Sequence, residues 1–395
     1  MENRYDKYKD SGVEWIGEIP EHWKITKIQY LAQLKSGYSL TTEEITDNGL
    51  YPVYGGNGIR GYYDKYFLEG DYVLIGRQGA LCGNINYSTN KSWATEHAVV
   101  CYPKIKYVTR WFGELLRVMN LNQYSLAAAQ PGLAVERIKL LPIPIIPLPE
   151  QQSIAAYLDQ KCGEIDELIT LQEEMITKLQ SYKQSVITEA VTKGLDKNVP
   201  LKDSGIKWIG EIPEHWSIIC LKRLCRISTG NQDTQDSIPD GKYPFFVRSP
   251  KVERSNNYTF EGPSILMAGD GVGAGKVFHL ADNKFACHQR VYCINQFSVI
   301  VNRIYLFYYM SSLFYNIIDS ANSKSTVDSV RLPMLAEFPV CIPLKYEQQS
   351  IADYLDQRCS EIDELISIKQ QKIEKLKEYK KSLIFECVTG KRKVS

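Results

Sequence analysis

The stretch that most suggests catalysis is GDGVGAGK, Gly269 to Lys276. A phosphate-cradling P-loop needs Gly, four residues, then Gly-Lys and Ser or Thr. Asp270 stands where the first Gly is required, and Val277 where a hydroxyl would bind magnesium. Gly269, Gly271 and Ala274 do fit G-x-G-x-x-A, but the following KVFHLADNKFACHQRVYCI predicts strands rather than a helix. Without a helix N-terminus no dipole holds a pyrophosphate, so the stretch reads as a glycine-rich hairpin or loop. The histidines, His22, His97, His215, His279 and His288, form no H-E-x-x-H, and no G-x-S-x-G occurs. Cys287 and His288 are adjacent on a predicted strand and point to opposite faces, so they are not a dyad. Ten cysteines contain no CxxC, and the closest pairs, Cys220 with Cys225 and Cys287 with Cys293, lack zinc spacing. Neither Asn-Pro-Pro-Tyr nor Asp-Pro-Pro-Tyr, the runs with which amino-methyltransferases hold a flipped base, is present. These residues predict a binding protein with no metal or cofactor of its own.

The bulk composition is that of an ordinary globular chain: 395 residues, 44% hydrophobic, 24% charged, net charge +1. That length predicts two or three domains. No run of eighteen apolar residues exists, and MENRYDKYKD at the start is polar, so a cytoplasmic chain without membrane contact and with free thiols is expected. The neutral balance advertises no nucleic acid, but charge is segregated: residues 369–395 hold nine Lys or Arg against three Glu.

Such binding residues need a frame, and the frame is written twice. DSGVEWIGEIPEHWKI starts at Asp10, and DSGIKWIGEIPEHWSI at Asp203. EQQSIAAYLDQKCGEIDELI starts at Glu150, and EQQSIADYLDQRCSEIDELI at Glu347. A repeat near 195 residues means two whole domains rather than a solenoid. Between the repeated phrases lie unlike blocks whose skeletons align at an offset of 192. Tyr51-Pro52 matches Tyr243-Pro244, Glu69-Gly70 matches Glu261-Gly262, Gln78-Gly79 matches Asp270-Gly271, and Ala94 matches Ala286. Two scaffolds of one shape thus carry different surfaces. DYVLIG, SILMAG, HAVVCY and RVYCIN predict strands; TRWFGELLRVMNL (109–121) and YLFYYMSSLFYNII (305–318) predict helices packed on a sheet. LLPIPIIPLPE (140–150) and EFPVCIPLKYE (337–347) predict extended exits.

A long helix follows each exit. Heptad positions starting at Leu158 give Leu158, Ile165, Leu168, Gln172, Met175, Leu179, Tyr182 and Val186; the second copy gives Leu355, Ile362, Leu365, Lys369, Lys372, Leu376, Tyr379 and Leu383. Such a seam suits knobs-into-holes pairing of the two helices, with Gln172 and Lys369 as polar members that fix register. The predicted fold is α+β: two tandem-repeated mixed α/β domains separated by two long antiparallel coiled-coil helices, with pseudo-two-fold symmetry. The repeated Trp phrase, with Trp15, Trp23, Trp208 and Trp216 buried, would dock each block onto the same kind of helix end.

This layout resembles the DNA-specificity subunit of type I restriction-modification systems. The carriers are WIGEIPEHW twice, PLPEQQSIAAYLDQ and PLKYEQQSIADYLDQ, the EIDELI helices, and TEAVTKG and ECVTGK. The resemblance implies an N-terminal segment (1–25), a first target-recognition domain (26–149) and a spacer helix (150–194). A joining segment (195–218), a second recognition domain (219–346), and a second spacer helix with basic tail (347–395) follow. It implies a subunit without catalysis that reads a bipartite site in double-stranded DNA. Two modification subunits using S-adenosylmethionine to methylate adenine, and restriction subunits using ATP and Mg²⁺, would dock on it. Base readers are then expected among Arg, Lys, Asn, Gln and short polar groups on exposed loops. In the first block these are Tyr54, Asn57, Arg60, Arg77 and Gln78; in the second, Arg248, Lys251, Arg254, Asn256 and Lys276. Lys35 and Lys222 are expected to meet phosphates. Rival readings are an enzyme with an unrecognised site, a scaffold whose blocks bind proteins, and the specificity subunit of a related system that cleaves beside its site.

Overall fold

The computed structural model describes residues 4–79, 81–125, 132–321 and 329–394. The chain forms two compact units, Met1–Gln172 with Gln371–Ser395, and Glu173–Gln370. Two long helices, Leu148–Lys193 and Lys345–Val388, run on from one unit into the other. Each starts at the proline-rich exit that the sequence predicts to be extended. Pro142–Ile145 is a strand paired antiparallel with Lys24–Lys27, and Pro339–Ile342 pairs likewise with Ser217–Cys220. Pro149 falls in the first turn of its helix, where no backbone N–H is needed.

Each unit carries two four-stranded sheets with the same strand order. In the first unit one sheet runs Ala32–Ser36, Ala98–Pro103, Val73–Gly76, Ile85–Tyr87, all antiparallel. Its counterpart runs Arg226–Thr229, Val291–Asn295, Ser264–Ala268, Phe278–Ala281. Helix Thr109–Val118 buries Trp111, Phe112, Leu115 and Leu116 in the first core, and Arg303–Leu313 buries Tyr305, Leu306, Tyr309 and Met310 in the second. The other sheet runs Gly58–Tyr63, Tyr51–Gly55, Lys91–Ala94, Leu68–Glu69, and its counterpart Glu253–Ser255, Tyr243–Phe246, Lys284–Cys287, Phe260–Glu261. The middle pair of each is parallel, an unusual joint that both copies keep. Gly37 and Gly230 show why the skeleton survives while its surface changes. A Cβ there would lie 2.0 Å from the Ala94 carbonyl oxygen or 1.9 Å from that of Cys287, so neither position accepts a side chain.

The Trp phrase answers to one environment in both copies. Ile16, Ile19 and Trp23 share a core with Ile154 and Leu158 from one helix's start and Leu383, Ile384, Cys387 and Val388 from the other's end. Ile209, Ile212 and Trp216 sit equivalently with Ile351 and Leu355 and with Val186, Ile187, Ala190 and Val191. Trp23 and Trp216 are fully buried; Trp15 and Trp208 are only half-buried, Trp208 lying flat against Phe338 at 5.8 Å.

Within each unit the two helices run antiparallel. Lys380 reaches Asp166 at 2.6 Å in the first unit, and Lys183 reaches Asp363 at 2.6 Å in the second. A continuous line of buried and half-buried positions runs through Leu158, Cys162, Ile165, Ile169, Gln172, Ile176, Leu179, Lys183, Val186 and Ala190, and the second helix repeats this line 197 residues on. Steps of four and three alternate without a break. This corrects three of the eight predicted seam positions in each helix. Leu168, Met175 and Tyr182, with Leu365, Lys372 and Tyr379, are exposed. The step after Leu158 is four, not three, so these residues lie about 100° off the contact line. Cysteine and lysine at true seam positions hid it from an apolar count. Gln172 is buried and Lys369 half-buried, with its ammonium 3.5 Å from Met175 Sδ.

The seam separates two neighbouring substitutions. Ile165→Ala is expected to cost about 2–5 kcal/mol and Leu168→Ala under about 0.5 kcal/mol, as measured by urea unfolding.

Candidate nucleic-acid interface

In the first unit the polar residues converge where the hairpin Tyr51–Gly55/Gly58–Tyr63 turns over the end of strand Val73–Gly76. The approach is close: a Cβ on Gly76 would lie 2.0 Å from the Gly56 carbonyl oxygen. Asn57, next in the turn, accepts from Asn84 Nδ2 at 2.7 Å. The Arg77 backbone donates to the His97 carbonyl at 2.8 Å, and its guanidinium to Ser36 Oγ at 3.1 Å. His97 Nε2 pairs with Glu96 at 3.1 Å, and Gln78 stands exposed beside them. Arg60 is exposed on the outgoing hairpin strand. Lys35 is exposed on the edge strand Ala32–Ser36, opposite Val100. Tyr54 requires correction. It lies in the strand rather than the turn and is 4% exposed, packed with Leu68, Leu74, Ala94 and Val100. Val53, Tyr54 and Gly55 are buried in succession, so both faces of the strand are covered at this point and Tyr54 has no exposed side.

The second unit builds the same turn from other chemistry. Arg248 stands at the hairpin tip and donates to Asp270 Oδ1 at 3.1 Å; Arg290 approaches Asp270 Oδ2 at 3.6 Å. Arg248 and Asp270 edge a cleft of about 510 Å³ whose rim includes Thr234, Ser249, Val272 and Lys276. The Lys276 ammonium lies 4.1 Å above the Tyr315 ring. GDGVGAGK thus forms the wall of this cleft as a turn between strands, with no helix following it. Lys251 is exposed in the hairpin loop. Arg254 is committed to the backbone, donating to the Gly241 carbonyl at 2.9 Å and that of Lys242 at 3.3 Å. Asn256 Oδ1 accepts from the Lys242 N–H at 3.3 Å. Both hold their own hairpin while remaining exposed. Lys222 lies on a separate turn, Leu221–Arg223, paired with Glu337, whose carboxyl it holds below the usual range.

Asn84, His97, Asp270 and Arg290 join these clusters without having been singled out as readers. A usable signal existed: Gln78-Gly79 and Asp270-Gly271 mark one frame position at which the residue type changes. His288 sits beneath the second cluster, 3% exposed, and its Nδ1 accepts from the Arg290 N–H at 2.9 Å. Burial, then the Arg248 charge, push its pKa down, so the ring is neutral. Among the described residues no three His, Cys, Asp or Glu side chains gather as a metal would require.

The type I restriction modification DNA specificity domain matches the chain twice, over residues 20–180 and 213–378. Those two stretches cover most of its length. The chain belongs to the type I restriction-modification DNA specificity family. The Escherichia coli type I restriction enzyme EcoprrI specificity subunit is 36% identical over 161 residues, 40% of each chain. The EcoDI specificity subunit of the same organism is 25% identical over 181 residues, 46% of this chain and 39% of its own. The match therefore spans about two fifths of the length of these two relatives. The MjaVIII specificity subunit of Methanocaldococcus jannaschii is 23% identical, with 95% of this chain and 94% of that one aligned. A chain solved in work on complex assembly and conformational transition of the type I R-M system shares the fold. Its TM-score is 0.70 at 16% identity, covering 94% of this chain and 98% of that one. No helix among the described residues is long and apolar enough to cross a membrane.

His288 makes the second cluster acid-sensitive. With its folded pKa below the ordinary value near 6.5, the unfolded chain binds the proton first as pH falls. Stability is full above that ordinary value and declines below it. His279, also pushed down by burial, adds in the same direction. The urea midpoint is expected to drop between pH 7 and pH 5, and to drop less in His288→Asn.

Proposed function

We propose that this chain is the non-catalytic specificity subunit of a type I restriction-modification complex, its two blocks each reading one half of a bipartite site in double-stranded DNA. One observation carries the reading. A single backbone frame presents Asn57, Gln78, Asn84 and His97 in one copy and Arg248, Asp270, Lys276 and Arg290 in the other. Asn and Gln pair bidentately with adenine, Arg with guanine, and Asp accepts from cytosine, so the two copies suit different base sequences. Arg60 and Lys251 extend the reading surfaces. Arg254 and Asn256 shape the hairpin and can meet DNA with their outward atoms. Lys35 is a candidate phosphate contact; Lys222 reaches phosphate after exchanging Glu337 for it.

The two long helices, of 46 and 44 residues, would fix the interval between half-sites, each being roughly 65–70 Å long. Half-site spacing must match the helical repeat of DNA, and an unbroken helix holds such an interval. In this proposal two modification subunits and the restriction subunits dock on the chain and bring S-adenosylmethionine, ATP and Mg²⁺. The chain itself holds no cofactor.

Methylome sequencing of cells carrying the complete system tests this. Exchange of residues 26–149 for those of a relative is expected to change one half of a two-part methylated motif and leave the other intact. An unchanged motif returns the blocks to a protein-scaffold role, and turnover by the isolated chain with DNA, Mg²⁺ and S-adenosylmethionine makes it an enzyme. Arg248→Ala in the assembled complex is expected to weaken specific binding by about 1–3 kcal/mol and relax the choice at one base pair of the second half-site, read by competition binding at fixed salt.

A further inference from the structure

Both Trp phrases meet a glutamate at the start of a long helix, but the two meetings differ. In the first unit the Glu150 carboxylate accepts from the Tyr5 hydroxyl and from Trp23 Nε1 at 3.2 Å, and pairs with His22 Nε2 at 3.0 Å. The Tyr5 ring stands edge-on to Trp23, centroids 6.0 Å apart, and 5.7 Å from His22. Burial and the Glu150 carboxylate hold this phenol far above its usual range, so it stays a donor.

In the second unit the counterpart glutamate, Glu347, pairs with His215 Nε2 at 3.0 Å and accepts from the Leu344 N–H at 3.0 Å. The first unit has Pro147 at that position, which has no N–H to give. Trp216 Nε1 is buried without a hydrogen-bond partner. The strand registers Tyr8↔Pro20 and Leu201↔Pro213 make Asn198 the counterpart of Tyr5. Asn198 is exposed, and its backbone N–H donates to Asp196 Oδ1 at 2.9 Å. His215 and Glu347 consequently line an open cleft of about 470 Å³, rimmed by Leu195, Val199, Leu344 and Tyr346. Leu195, Leu344 and Tyr346 are exposed by 42%, 52% and 68%, a concentration of apolar surface around the carboxylates of Glu347 and Asp196.

We propose that this cleft receives a tyrosine side chain from a partner polypeptide, in the place that Tyr5 takes in the first unit. The occupant's chemistry is read from the chain's own filling of the matching site. A phenol lays its ring on the apolar rim and donates its hydroxyl to Glu347. The carboxylate rejects acidic and phosphorylated side chains. A second copy of this chain is the poorer source, because its Tyr5 would have to leave Glu150.

The test uses the full chain and an acetylated peptide of residues 2–7, ENRYDK, followed by ligand-observed NMR. Saturable binding is expected, about ten-fold weaker for the Tyr5→Phe peptide, the loss that one hydrogen bond to a charged acceptor carries. Asn198→Tyr in the chain should fill the cleft from within and abolish peptide binding, whereas Asn198→Ser should leave it intact. Equal binding of the two peptides, binding undiminished in the Asn198→Tyr chain, or no saturation with the unaltered chain overturns the proposal. Saturation by p-cresol but not by peptide overturns the polypeptide source in favour of a small phenol.

Discussion

Each hydrophobic core is closed by the end of a helix that the other repeat begins. Ile154 and Leu158 pack with Leu383 and Val388, and Ile351 and Leu355 with Val186 and Val191. Contacts between residues some two hundred positions apart therefore decide whether either unit folds. Loop-closure entropy makes such contacts slow to form, and buried side chains that lack them leave apolar surface in water. The Trp phrase exists because of this joint. Its Ile-Pro step runs extended across the meeting of a helix start and a helix end, and a fully buried indole fills the space. Two joints of one kind require the phrase twice.

The same constraint separates what must be kept from what is free to change. Strand order, the parallel pair and the side-chain-free approach at Gly37 and Gly230 serve packing and recur in both units. The turn between them serves no core, so its residues differ: two carboxamides in hydrogen-bond contact in one unit, a carboxylate between two guanidinium groups in the other. Ion pairing within the second cluster has a cost for recognition. In the proposed role Arg248 would exchange Asp270 for a base edge, so the gain would be the difference between two charge-assisted contacts rather than the whole of one.

Much of this was legible from residues alone because repetition supplies its own control. The duplicated phrases gave the two units, the proline runs gave the extended exits, and the broken P-loop pattern gave a turn without a helix. Three things were not legible. The helix seam lies one residue from the expected line at three of its eight positions, because Leu168 and Tyr182 are apolar on the flank while Cys162 and Lys183 hold the contact line. Tyr54 falls in a strand whose two faces are both covered at Val53–Gly55, and nothing in its local residues marks the second covering layer. Asp270 and Arg290 are twenty residues apart in sequence, and only the fold brings both to Arg248.

The Tyr8 hydroxyl donates to the Gly390 carbonyl at 3.1 Å, and Lys391 reaches the Glu18 carbonyl, so the segment before the first Trp phrase and the segment after the second long helix meet inside the first unit. The second unit holds the same junction with a covalent bridge across it, from Gly194 to Leu201. A side chain at Gly390 would meet the Pro20 ring and the Trp23 indole, so the glycine just past the second long helix also sets how the first Trp phrase is seated.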